Sequence, residues 1–205
     1  MMELDPRTTA VIAVHMVRDI VARDGAFGAI FGDGVERHQI VDRVGQLLST
    51  ARGAGSTAIY LRVVFRPGYP DLLVNGPLFG MIAQTGAVEE GKPGAEIIPE
   101  LAPEAGDLVI DHQRLTGFFG TGLDVLLRGR GITTVIFCGV ATNVSVEGTA
   151  REAVNLGYRT VIASDGCSAA SDQAHDATLE TFGLLGEVVT VDEIAAAMEH
   201  AVVPH

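Results

Sequence analysis

The sequence predicts an α/β fold, a three-layer α/β/α arrangement around a parallel sheet. Short and nearly all-apolar runs, such as Thr8–Val14 (TTAVIAV) and Val135–Cys138 (VIFC), suit central parallel strands covered on both faces. Between such runs lie stretches whose apolar residues recur at helical spacing. The two kinds alternate along the chain. Repeated β–α units require right-handed crossovers and put helices on both faces of the sheet.

The first strand is Thr8–Val14, closed by His15. The following VARDGAFGAIFGDG has glycines but no clear period and reads as a loop with at most a helical turn. Gln39–Ala54 is a helix, with Ile40, Val44, Leu47, Leu48 and Ala51 on one face and Gly53 or Gly55 ending it. Thr57–Val64 is the second strand. Six of the eight prolines fall between Phe65 and Pro103, so this stretch reads as a long irregular excursion. Excursions of that length in compact domains serve as lids or subunit contacts. Asp107–Asp111 is the third strand, and Gly120–Arg130 a short helix with Leu123, Leu126 and Leu127 inward. The fourth strand leads through GVATN into a helix carrying Val146, Thr149, Ala150 and Ala153. Thr160–Ser164 is a strand, Asp172–Leu184 a helix, Val188–Val191 the sixth strand and Val191–Ala201 the last helix.

The 205 residues are 47% hydrophobic, enough to build one core, and the whole chain, 1–205, is expected to be a single domain. A net charge of −12 argues against nucleic acid and anionic membrane as partners, since both need a basic face. The opening MMELDPRTTAV lacks the basic region and apolar run of a secretory signal, so a soluble, cytoplasmic protein is expected. The two cysteines, Cys138 in a strand and Cys167 in a loop, are too few for a disulfide scaffold and lack metal-ligand spacing.

The corner between the fourth strand and its helix is the strongest candidate for an active site. A small-residue turn from strand to helix leaves helix N-terminal amides without an intrahelical partner, available to an anion or oxyanion. Thr142 or Asn143 caps the helix in this reading, leaving Ser145 in its first turn. Ligands of parallel sheets bind beyond the carboxyl ends of the strands, near the point where strand order reverses. That rule brings together His15, the Arg62–Arg66 segment, His112 and Ala141–Ser145. Neither a dinucleotide fingerprint nor a Walker lysine loop competes for the site.

VIAVHMVRD, DHQRLTGFFGTGLDVLLRGRGI and above all GVATNVSVEGTAREA, with the LGYR turn and Asp165 beyond it, resemble the isochorismatase-like, nicotinamidase-related cysteine hydrolases. The resemblance covers most of the chain. It implies a six-stranded parallel sheet, a cis peptide between Val140 and Ala141, and homo-oligomers. It also implies an Asp after strand 1, a Lys at the end of strand 3 and a Cys in the first turn after strand 4, acting through a thioester. A further branch of the family hydrolyses a vinyl ether without a nucleophile. Here those three positions read His15, His112 and Ser145. A thiol at a helix N-terminus ionises near neutrality, whereas a serine hydroxyl needs a base in contact with it. A fixed charge pair has also become two groups that titrate near neutrality.

The metal ligands of nicotinamidases would fall in YLRVVFRPGYPDL, which has no histidine, so neither metal nor cofactor is expected. A new site on His15 and His112 would need Asp19 or Asp111 as its third ligand. His38, His175, His200 and His205 read as surface, helix or tail residues, and Asp19 and Asp165 as holders of turns. The candidate catalytic residues are His15, His112 and Ser145. Val140, Ala141, Thr142, Asn143, Arg62, Phe65, Arg66, Tyr69, Arg114 and Phe118 are the candidate substrate contacts. For the arginines the competing reading is a surface ion pair, and for the aromatics the core.

Three functions fit. The first is acid–base hydrolysis or lyase-type cleavage, by two adjacent histidines, of a small anionic or carbonyl-bearing metabolite. The second is an amide hydrolase with Ser145 as nucleophile, and the third a non-catalytic binder of a small molecule or partner chain. Apolar clusters in the excursion (Leu72, Leu73, Leu78, Phe79, Met81, Ile82) point to a homo-oligomer, with this segment walling the pocket.

Overall fold

A computed structural model describes residues 2–202, so His205 lies outside the described residues. The strands are β1 (Thr9–Val14), β2 (Thr57–Val63), β3 (Leu108–His112), β4 (Thr134–Val140), β5 (Arg159–Ser168) and β6 (Glu187–Val189). All pair in parallel in one six-stranded sheet of order β3-β2-β1-β4-β5-β6. The helices are α1 (Arg18–Val21), α2 (Gly28–Arg37), α3 (Ile40–Ala54), α4 (Pro77–Thr85), α5 (Leu123–Gly129), α6 (Glu147–Asn155), α7 (Asp172–Phe182) and α8 (Val191–Val202).

The strand order explains the layers. From β1 the chain steps outward to β2 and β3, and from β4 outward in the opposite direction to β5 and β6. Right-handed crossovers therefore lie on opposite faces in the two halves. α3 and α8 pack together on one face, and α6 and α7 lie along β5 on the other. β1 and β4 are neighbours at the reversal, and every residue of both is buried. Their apolar side chains belong to one continuous core with those of β2 and β5.

Two helices stand where irregular chain is expected from the sequence. α2 carries Gly28, Gly32 and Gly34, which suppress a helical signal. Gly28 is required by proximity, since a Cβ there would sit 2.3 Å from the Arg23 carbonyl oxygen. α4 lies inside the Phe65–Pro103 excursion, with Pro77 at its first turn and left-handed Gly86 (φ 65°) ending it. β5 runs on to Ser168, so Cys167 is a buried strand residue rather than a loop residue. Burial pushes the Cys138 thiol up to about 12 and holds Cys167 well above its ordinary range, leaving both inert. Among the described residues no helix is long and apolar enough to cross a membrane.

Candidate active site

β1 ends at Val14, and His15 follows in the left-handed region, φ 55°, uncommon for a residue with a side chain. Its N–H donates to the Leu61 carbonyl of β2 at 2.8 Å, which holds the bend. His112, the last residue of β3, lies opposite Val63 of β2. The two imidazoles meet at the β2 end, with Nε2 atoms 2.8 Å apart and ring centroids 4.9 Å apart. That combination puts the rings end to end rather than face to face.

The proton positions follow from one further contact. His112 Nδ1 lies 2.9 Å from the Arg114 carbonyl oxygen, which can only accept, so Nδ1 carries the hydrogen. In a neutral ring His112 Nε2 is then a bare acceptor, and His15 Nε2–H must donate to it. His15 Nδ1 is left with a free lone pair and has no protein partner among the described residues. Both rings are neutral at neutral pH. Burial, aided by the adjacent His112, holds His15 well below its ordinary value. Burial also lowers His112 to about 4, although the Arg114 carbonyl and Asp111 oppose the shift. The sequence leads one to expect a fall at one histidine and a pair poised near neutrality. The structure lowers both, because both are desolvated.

β4 enters the corner through Gly139 at φ 112°, where a Cβ would meet the Val14 carbonyl oxygen at 2.2 Å. Only glycine lets β4 and β1 approach this closely. A cis Val140–Ala141 peptide follows, as the resemblance implies, and then a π-helical turn over Thr142–Val146. The Ala141 carbonyl accepts from the N–H groups of both Val144 and Val146. Neither Thr142 nor Asn143 caps this turn, contrary to expectation. The Thr142 hydroxyl is engaged instead with His175 Nδ1 of α7 at 2.8 Å, and Asn143 is exposed. His175, read from the sequence as a surface or helix residue, is a half-buried residue of α7 behind the corner.

His15, Val140, Ala141, Val144 and Ser145 line one crevice at the β1/β4 reversal. Ile20, Phe27 and Phe31 from the α1–α2 region form one apolar wall, and Leu78, Phe79 and Ile82 of α4 form another. Gln113 and Arg114 complete the polar side. The free volume is about 60 Å³. Ser145 is buried, and its hydroxyl has no hydrogen-bond partner among the described residues. His112 is fully buried and stands behind His15 rather than in the crevice. A groove of about 940 Å³ between α1–α3 and residues 91–100 is much larger. Of its charged side chains, Arg18, Arg23, Glu36, Lys92 and Glu96 are in ion pairs and Asp42 and Glu100 are in none among the described residues, and it holds no candidate residue.

The remaining candidates sit elsewhere. Arg62 makes a two-pronged pair with Asp111 (2.7 and 2.9 Å) and reaches Glu96. Arg66 is exposed, and its N–H bonds Asp71. Phe65 is buried against Tyr69, whose hydroxyl donates to the Ala87 carbonyl. Phe118 packs on Tyr158. Asp19 and Asp111, the possible third metal ligands, are occupied: Asp19 accepts from the N–H groups of Val88 and Ala26, and Asp111 is held by Arg62. Among the described residues no three His, Cys, Asp or Glu side chains converge on a common point. Asp165 holds the start of α8 through the Val191 N–H, the turn role expected of it. The walls from α1–α2 were missed because that stretch has no period, although Phe27 and Phe31 stand one helical turn apart.

A six-stranded parallel sheet with a cis-peptide corner at its reversal defines an isochorismatase-like α/β domain. The Isochorismatase domain family matches residues 9–193, and the chain belongs to the isochorismatase family of hydrolases. It is 33% identical to the uncharacterised isochorismatase family protein YwoC of Bacillus subtilis, over 94% of this chain and 95% of that protein. It is 32% identical to the ureidoacrylate amidohydrolase RutB of Stutzerimonas stutzeri, over 95% and 86% of the two chains. A cysteine hydrolase from Pseudomonas syringae pv. phaseolicola superposes with a TM-score of 0.89 at 30% identity, covering 98% of this chain and 97% of that one.

Proposed function

We propose that this isochorismatase-family hydrolase has lost the family's Asp, Lys and Cys to His15, His112 and Ser145, and cleaves a small carbonyl-bearing metabolite by general-base attack of water. The observation that carries the reading is the direction of the histidine hydrogen bonds. His112 donates from Nδ1 to the Arg114 carbonyl and accepts at Nε2, so His15 presents a bare Nδ1 beside the corner. In the reaction His15 Nδ1 takes a proton from water as the water oxygen bonds to the substrate carbonyl carbon. The imidazolium that forms keeps its Nε2–H on His112, and the same proton then passes from Nδ1 to the leaving atom as its bond to carbon breaks. Ser145 donates its hydroxyl to the developing oxyanion. His112 acts through His15 and is a positioning residue.

This modifies the acid-and-base division expected of two adjacent histidines, since only His15 has a nitrogen free to face substrate. The unbonded Ser145 hydroxyl supports water attack over a serine nucleophile, because no base contacts it. Arg114 is the one cation of the lining and is half-buried, which suits a substrate with a negative or strongly polar group beside its carbonyl. Ureidoacrylate, the substrate in the name of the RutB relative, combines these features and is the first compound to assay, followed by other small amides and vinyl ethers. With a substrate found, His15→Ala should lower turnover on the order of a hundredfold or more and Ser145→Ala about tenfold. Equal activity of His15→Ala and the unaltered chain would overturn the reading.

A further inference from the structure

We propose that Arg114 is a positioning residue that latches residues 72–85 over the histidine pair, and that this segment is a lid which lifts to admit substrate. The proposal rests on the crevice being the active site. The crevice holds about 60 Å³, whereas pockets for small molecules span roughly 300–1,000 Å³. A metabolite does not fit beneath the segment as it stands. α4 is the roof, through Leu78, Phe79 and Ile82, and among the described residues no helix or strand makes an extended backbone contact along it.

The base of the segment is pinned on both sides. Phe65 N–H bonds the Val88 carbonyl at 2.9 Å, Glu90 N–H the Phe65 carbonyl at 2.8 Å, and Val88 N–H the Asp19 carboxylate at 2.8 Å. Beyond these anchors Phe79 and Ile82 rest the roof on the core, and among the described residues one side chain fastens it by hydrogen bonds. Arg114 Nη1 donates to the Leu73 carbonyl (3.2 Å), Nη2 donates to Asn75 Oδ1 (3.0 Å), and the guanidinium lies 4.0 Å over the Phe79 ring. No carboxylate pairs with Arg114 among the described residues, so its charge is met by the lid alone. The carbonyl of this same residue orients His112 at Nδ1. One residue therefore ties the lid to the ring that decides which His15 nitrogen is bare.

A closed lid also keeps water from the pair, and desolvation is the first cause of both lowered histidine values. Besides the pair, the charged groups around it are Asp111 of β3, already bound by Arg62, and Arg114 itself. α4 and the corner bring no titratable side chain to the crevice.

The test is an imidazole NMR titration of the labelled full chain, which needs no substrate. Arg114→Ala should raise the His112 midpoint from about 4 by a unit or more, a tenfold or greater gain in proton affinity. Its backbone carbonyl is unaltered, but loss of the cation also raises an imidazole's midpoint, so the part of the shift shared with Asn75→Ala, which leaves every charge in place, reports the lid. Asn75→Ala, at an exposed position, should move the midpoint in the same direction by less. Arg114→Lys keeps the charge without the two-pronged donor and should restore the midpoint only in part. Unmoved midpoints in both alanine variants overturn the proposal. If Arg114→Ala does not fold, Asn75→Ala decides. A moved midpoint in a protein without hydrolase activity would leave the latch standing and remove the function.

Discussion

Acidification should destabilise this protein through His112, by an amount the structure sets. In the unfolded chain the imidazole takes a proton at its ordinary value near 6.5, whereas the folded protein holds it neutral until about 4. Between these values the unfolded state binds the extra proton, so stability is full above pH 6.5 and falls as pH drops toward 4. A gap of about 2.5 units at 1.36 kcal/mol each gives roughly 3 kcal/mol, a large share of the 5–15 kcal/mol typical of a domain. His15, held low by the same burial, adds loss in the same direction. Carboxylates near 4 contribute in any variant, so the comparison is with His112→Asn, which keeps a donor for the Arg114 carbonyl and cannot titrate. Urea unfolding at intervals from pH 7.5 to pH 4 should show the unaltered chain losing about 3 kcal/mol more than the variant. Parallel curves for the two proteins would refute the buried neutral pair.

Activity, once a substrate is found, should be flat in kcat/KM through neutrality and fall only on the acid side, because the base we propose, His15, has its value lowered; a fall centred at or above pH 6.5 would contradict this. Gly139→Ala should cost about 2 kcal/mol or more in urea unfolding, from the clash with Val14 and the φ of 112°. Asp19→Ala should cost about 1–3 kcal/mol by orphaning the Val88 N–H, at a residue held at φ 49° in a region hostile to β-branched side chains. Leu73, Val74 and Met81 of the excursion, with Phe119, are exposed, so light scattering should give a homo-oligomer, and a monomer at high concentration would refute that.

The sheet was legible because buried parallel strands are written as unbroken apolar runs, and β1 and β4 are such runs. The corner was legible through its small residues, and His15 and His112 through the rule that parallel strands carry sites at their carboxyl ends. What the sequence hid depends on contacts distant along the chain. Helix α2 is set by close backbone approaches that need glycine, the residue that most weakens a helical signal. The placing of His112 behind His15 is fixed by a carbonyl two residues on, and nothing local to either histidine announces it. Thr142 could have been a cap, but α7 offers it His175 instead. The turn signals of α4, Pro77 and Gly86, were present within a stretch whose prolines read as irregular chain.

Intact-protein mass spectrometry on enzyme quenched during turnover bears most directly on water attack through His15. Every turning-over molecule should keep the mass of the free chain, and Ser145→Ala should retain about a tenth of the rate. An added acyl mass that maps to Ser145, together with loss of all turnover in Ser145→Ala, would contradict it and make the serine the nucleophile.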